Sequence, residues 1–189
     1  MLGALMNGAA VIIVDGFDAR AIVDVIARHR LGWLLLMPGS IAPVVALLKQ
    51  EATVAKGVKV CGAMADLVPT ALIAELSGLL RAPYLNSFGS TETGLPPASA
   101  MLFPPGTIPT TLSKRQSALC DLRLLDPDGR DVADGEAGEG AIRGPTVFSG
   151  YGTPTRPTRV TSRTVGSAWA ICSGETRTAA TISWTGPNT

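Results

Sequence analysis

Short apolar runs separated by helix-period segments fill residues 11–88 and constrain the fold more than any other feature of the chain. The runs are Val11–Val14, Trp33–Met37, Val58–Cys61 and Tyr84–Asn86, each too short for a helix and rich in β-branched or large apolar side chains. Between them, Asp18 is a candidate N-cap for a helix that carries Ile22, Val25 and Ile26 on one face. Ile41–Lys49 reads as a second helix, set off by Pro38. Asp66 is the candidate cap of a third, with Leu72, Ile73 and Leu76 facing the core. Met1–Ala10 reads as the end of an apolar helix. Alternation of strand and helix with short connections predicts an α/β fold built on a doubly wound, mostly parallel sheet. Ligands of such sheets bind beyond the carboxyl ends of the strands.

One of those ends is chemically unusual. Tyr84-Leu85-Asn86-Ser87-Phe88-Gly89-Ser90-Thr91-Glu92-Thr93-Gly94 runs from a strand into glycines, hydroxyls, a carboxylate and an aromatic ring. Glycine permits close approach of backbone to a ligand, and Ser90 and Thr91 can donate to phosphate oxygens. Glu92 is a hard oxygen ligand of the kind Mg²⁺ takes alongside substrate phosphates, and Phe88 offers a flat face for a purine. The same residue types also suit a polar turn that opens a helix, so residue chemistry by itself leaves both readings open.

Beyond Met101 the pattern changes. Pro104, Pro105 and Pro109 break any helix, Cys120–Leu125 alternates as a strand, Asp126-Pro127-Asp128-Gly129 is a tight turn and Gly140–Arg143 is a further strand. A small β segment therefore follows the α/β part. Charge marks a second boundary. Residues 1–152 hold 12 of the 16 basic and 14 of the 15 acidic residues, and residues 153–189 hold four arginines against Glu175 alone. The net charge of +1 gives no basis for nucleic-acid binding. Three widely spaced cysteines, Cys61, Cys120 and Cys172, with His29 as the sole histidine, offer no metal-ligand spacing and fit a reducing, cytoplasmic setting. No apolar run is long enough to cross a membrane, and Met1–Ala10 lacks the basic start of a signal peptide. His29 reads as a solvated helix end, Cys61 as a small core residue, and Asp126 and Asp128 as turn formers. Arg143 suits either an active-site face or a strand surface.

Phe88-Gly89-Ser90-Thr91-Glu92 closely resembles the Tyr-Gly-x-Thr-Glu core motif of adenylate-forming enzymes, the group of acyl-CoA synthetases, luciferases and peptide-synthetase adenylation domains. Here Phe takes the aromatic place. Upstream, Cys61-Gly62-Ala63-Met64 resembles the family's glycine-rich strand end beside the adenine and acyl pockets. Downstream, Gly135-Glu136-Ala137-Gly138-Glu139-Gly140-Ala141-Ile142-Arg143-Gly144-Pro145, then Ser149-Gly150-Tyr151, resembles its Gly-Glu…Arg-Gly-Pro…Gly-Tyr segment. The likeness covers about residues 1–152, in the family's order. It implies ATP-dependent joining of a small carboxylic acid to AMP with release of pyrophosphate, then transfer to a thiol, usually that of CoA. It also implies that Thr91 binds phosphate and Glu92 ligates Mg²⁺. Phe88 would pack on adenine, with Gly62, Ala63, Met64, Asn86, Ser87, Gly89 and Ser90 shaping the ATP/AMP and acyl walls. By the same likeness, residues 1–110 are an α/β half-domain and 111–152 part of a barrel-like subdomain.

The departures carry expectations too. A phosphate loop ending in Pro-Lys, an in-frame Thr-Gly-Asp and the mobile domain with its lysine are missing from these residues. The resemblance therefore implies a fragment with little ligase activity, exposed apolar surface and poor solubility. Residues 153–189 contain ten threonines and no apolar repeat, the composition of a disordered tail. Regrouping each codon as its third base plus the next two gives a different text. Trp169-Ala170 then encodes Gly, with the next triplet permitting Asp as in the family's Thr-Gly-Asp, and Trp184-Thr185 encodes Asp, with the next triplets permitting the rest of its Asp-Arg-x-Lys. This predicts that residues from about Gly152 onward are read one base out of register. Three readings of function remain: a CoA-ligase remnant, a non-catalytic nucleotide- or partner-binding module, and an unrelated α/β domain with a chance motif.

Overall fold

The computed structural model describes residues 2–63, 65–94, 96–99, 102–133, 136, 138–148 and 170–171. Four helices are described: α1 (Leu2–Met6), α2 (Ala19–Arg28), α3 (Pro38–Gln50) and α4 (Thr70–Leu80). One sheet has the order β1-β2-β3-β4-β5, formed by Leu34–Leu35, Cys61–Ala63, Tyr84–Phe88, Ala98–Ser99 and Arg115–Gln116. β1, β2 and β3 are parallel, whereas β4 and β5 pair antiparallel. A second, antiparallel sheet comes next, with β6 (Asp121–Leu125), β7 (Glu139–Arg143) and β8 (Ala170–Ile171) in sequence order. This is the α/β architecture with a parallel core and a trailing β segment that the alternation predicts.

Burial shows how the layers meet. Leu34 and Leu36 are buried while Leu35 between them is 60% exposed. α2, α3 and α4 thus cover one face of the sheet, with α3 lying between the other two. Ile22, Val23 and Ile26 of α2 join Ile41, Val44, Val45 and Leu48 of α3 and Ile73, Leu76 and Leu80 of α4 over Cys61 and Tyr84. The opposite side exposes Trp33, Leu35 and Met37, the uncovered apolar surface that the resemblance implies.

Local chemistry explains most elements. Asp18 caps α2 as expected, its Oδ1 accepting from Arg20 N at 2.8 Å. Val23 rather than Val25 completes the buried stripe of that helix. Pro38 does more than end a strand: it occupies the first turn of α3, where its missing N–H costs nothing. The ladder between β1 and β2 begins earlier than the strands themselves, at the parallel bridge Leu31–Val58, and keeps one register through Leu34–Cys61 and Leu35–Gly62. That accounts for the expected strand at Val58–Cys61 appearing shifted to Cys61–Ala63.

Two expectations fail. Val11–Val14 is not a strand, and Ile12 and Ile13 are 44% and 78% exposed. A β-branched run becomes a strand only beside a partner, and the described sheet ends at β1. Asp66 does not cap the third main helix: it lies in a 3-10 turn, Ala65–Leu67, and α4 starts at Thr70 behind Pro69. Proline disfavours helical geometry at the residue before it, so the helix cannot run back through Val68.

In the second sheet, Asp126 Oδ1 accepts from the backbone N–H groups of Asp128 and Arg130 at 2.9 and 2.8 Å, and Gly129 has φ +79°. Turn chemistry thus explains both aspartates, as expected. Of residues 153–189, all but Ala170–Ile171 lie outside the described residues, so neither reading of that tail meets the structure.

Candidate functional site

β2 and β3 run parallel in the register Cys61–Tyr84, Gly62–Leu85 and Ala63–Asn86. Gly62–Ala63 and Asn86–Phe88 therefore reach the same carboxyl edge on neighbouring strands. The chain leaves β3 through Gly89 and Ser90 into a 3-10 turn, Thr91–Thr93. Thr91 is exposed and Glu92 and Phe88 are partly exposed. A hydroxyl, a carboxylate and an aromatic ring thus lie within reach of solvent at the strand edge where α/β sheets bind ligands. Met64 lies outside the described residues.

Close backbone contact holds this edge. A Cβ on Gly62 would lie 2.3 Å from Leu85 O, so β2 and β3 approach as only glycine allows. Asn86 is fully buried; its Oδ1 accepts from Ala65 N at 3.3 Å and its Nδ2 donates to Leu112 O at 3.1 Å. That amide ties the turn after β2 and the approach to β5 onto β3. Lys114, also buried, donates from Nζ to the same Leu112 carbonyl at 3.3 Å. Neither link is visible in the sequence, where Lys114 resembles any surface lysine.

The turn is braced from within and from outside. Thr93 is buried; its Oγ1 accepts from Ser90 N at 3.0 Å and donates to Ser90 O at 2.9 Å. Phe148 N donates to Glu92 O at 2.8 Å, and Thr146 Oγ1 donates to Thr93 O at 3.0 Å. The segment leaving β7 therefore docks on the residues that carry the carboxylate.

The other residues singled out fall away from this edge. Cys61 is fully buried, and burial pushes its thiol up to about 12, so it is an inert core residue. Cys120 is also buried with its thiol raised; its Sγ donates to Pro97 O at 3.1 Å. His29 is the exposed residue that closes α2. Arg143 pairs with Asp121 across β6 and β7, Nη2 to Oδ2 at 2.6 Å. A cavity of about 800 Å³ lies beside that pair, lined in part by Leu119, Cys120, Val147 and Phe148. Among the described residues no cluster of three or more His, Cys, Asp or Glu could cage a metal, and no helix is long and apolar enough to cross a membrane.

Comparison with known proteins agrees with the motif and the fold together. The sequence model of the AMP-binding enzyme family matches residues 1–152, and the chain belongs to that family, the adenylate-forming enzymes. Its curated relatives are CoA ligases. The chain is 31% identical to indoleacetate–CoA ligase of Aromatoleum aromaticum over 149 residues, 78% of this chain and 29% of that protein. It is 30% identical to 4-coumarate–CoA ligase 1 of Oryza sativa subsp. japonica over 166 residues, 80% of this chain and 28% of that one. The chain thus spans under a third of the length of these relatives. Among solved structures, a long-chain-fatty-acid–CoA ligase from Archaeoglobus fulgidus matches with a TM-score of 0.68 at 20% identity, over 89% of this chain and 36% of that one. O-succinylbenzoate coenzyme A synthetase from Bacillus subtilis, in complex with ATP and magnesium ion, matches with a TM-score of 0.65 at 19% identity, over 90% and 34%. These likenesses establish the fold, and a chance motif on an unrelated domain is set aside.

Proposed function

We propose that this chain carries the nucleotide- and metal-holding edge of an ATP-dependent carboxylate–CoA ligase. One observation carries the reading: the family motif Phe88–Glu92 begins on the last residue of β3 and continues past its carboxyl end, beside the end of β2. Thr91 donates to a phosphate oxygen and Glu92 supplies one hard oxygen to Mg²⁺. Phe88 packs on adenine, while Gly62, Ala63, Met64, Asn86, Ser87, Gly89 and Ser90 form the walls of the ATP/AMP and acyl site. Asn86 contributes from behind, since both ends of its amide already bond to backbone.

The donor set fits such a group. A single carboxylate beside hydroxyls, with no three-ligand cage among the described residues, suits an ion that keeps its waters and takes its other oxygens from phosphates. Bound there, Mg²⁺ would offset the negative charge that builds at phosphorus when a carboxylate attacks the α-phosphate. The residues of this chain hold and orient; their fixed backbone means that little reorganisation is needed as charge develops. A carboxylic acid and CoA complete the substrate set, and the inert, buried Cys61 and Cys120 suit a reducing, cytoplasmic setting.

The test uses the 189-residue chain. MgATP binding measured calorimetrically is expected for the wild type and weakened at least tenfold in Glu92→Gln. Unaltered binding in that variant would overturn the metal role. We further propose that these residues by themselves do not complete the reaction; robust ATP–pyrophosphate exchange would refute that. Tight AMP binding that does not depend on Glu92 would favour a non-catalytic nucleotide-binding module.

A further inference from the structure

We propose that Thr146–Phe148 is a positioning strap that sets the metal-bearing turn from behind, so that Mg²⁺-dependent nucleotide binding depends on the second sheet. The proposal rests on the ligase reading of this edge. A short 3-10 turn leaves its last carbonyls without partners. Here each is taken: Thr91 O accepts from Gly94 N at 3.4 Å, Glu92 O from Phe148 N at 2.8 Å and Thr93 O from Thr146 Oγ1 at 3.0 Å. Two of the three donors come from the strap. The approach is too close for any side chain at Gly94, whose φ is +68° and whose Cβ would lie 2.4 Å from Thr146 O.

The strap is itself anchored. Val147 packs with Phe88 on the small cluster of Ala98, Cys120, Leu122 and Ile142, and Val147 N donates to Gly144 O at 3.3 Å. Force therefore passes from the β6–β7 hairpin through Val147 to the backbone of Glu92 and Thr93. Thr146 touches no substrate in this scheme. It fixes the peptide from which the Glu92 carboxylate and the Thr91 hydroxyl project, and a carboxylate that wanders by about an ångström is a poor ligand for an ion with strict geometry.

The experiment compares wild type, Thr146→Val and Thr146→Ser, with Asp131→Asn on the exposed Arg123–Asp131 pair as a control on the same sheet. ATP affinity is measured with Mg²⁺ and again in EDTA, and hydrogen exchange is followed by mass spectrometry. Thr146→Val is nearly isosteric and removes only the donor. It should weaken MgATP binding about fivefold, the worth of one hydrogen bond, weaken metal-free ATP binding less, since only the Thr91 contact is then at stake, and speed exchange at residues 91–94 but not in α3 or α4. Thr146→Ser should restore wild-type behaviour, and Asp131→Asn should match the wild type throughout. Equal MgATP affinity in Thr146→Val, equal losses with and without metal, or no rescue by serine would overturn the proposal. A wild type that binds no MgATP overturns the ligase reading and this proposal's ligand with it, and exchange at residues 91–94 then reports separately on the strap.

Discussion

Gly62→Ala is the substitution whose cost can be worked most directly from the structure. The new Cβ would lie 2.3 Å from Leu85 O and 3.1 Å from both the carbon and nitrogen of Leu85. An ordinary carbon–oxygen contact is about 3.3 Å, so β2 and β3 must part by about 1 Å at this point. Every opposing atom is backbone, and no rotamer can relieve the clash. Overpacking costs about 1–3 kcal/mol, and each ladder hydrogen bond stretched by the parting adds about 1 kcal/mol. The expected loss is therefore about 2–4 kcal/mol. With a urea slope of about 2 kcal/mol per molar, the midpoint should fall by about 1–2 M. Gly140→Ala in β7 is the control, because its Cβ would meet nothing within 4 Å; it should stay within about 0.5 kcal/mol of wild type. The assay is urea unfolding followed by far-ultraviolet circular dichroism. If Gly62→Ala unfolds at the wild-type midpoint, the close approach at the strand edge is refuted.

Cys61 gives a pH test. Its thiol is raised to about 12 in the folded chain, while an unfolded thiol ionises near 8.5. The folded state therefore holds a proton that the unfolded state has lost, and this contribution is complete below about pH 8.5 and disappears as pH rises toward 12. Stability should fall by about 1.4 kcal/mol per pH unit in that window, and Cys61→Ala should lack this component; parallel alkaline profiles for the two chains would contradict it. Leu35→Lys, on the uncovered face of β1, should reduce light scattering at high concentration without lowering the urea midpoint, and unchanged scattering would show that this face does not drive association. The DNA across codons 150–189 should yield Gly-Asp and Asp-Arg-x-Lys segments in the regrouped frame, and stop codons there would end that reading.

Much of the strand edge was legible because the information is local. Strand–helix alternation places Tyr84–Phe88 in a parallel sheet, and the spacing of glycine, hydroxyl and carboxylate then marks the turn beyond it. The Asp18 cap and the Asp126–Gly129 turn depend on neighbours a few residues away, and both appear as the sequence predicts. The features that escaped depend on partners distant in the chain. Val11–Val14 has strand composition but no strand to pair with. Asp66 has cap chemistry, which Pro69 overrides. The buried Lys114, the Asn86 amide and the Thr146 hydroxyl all bond to backbone carbonyls or N–H groups, and such groups have no residue-type signature. The one available hint for the strap was Gly94 just after the motif, a small residue where something must come close.

The claim that Thr91 and Glu92 face a nucleotide's phosphates and metal is tested most directly by replacing Mg²⁺ with paramagnetic Mn²⁺ in the ATP complex of the isotope-labelled chain. Backbone amide signals of Ser90–Gly94 and of Gly62–Ala63 should broaden beyond detection, while those of the Asp126–Gly129 turn persist, and Glu92→Gln should restore the lost signals. Broadening confined to the β6–β7 hairpin, or unchanged spectra at saturating Mn²⁺ and ATP, would contradict the account.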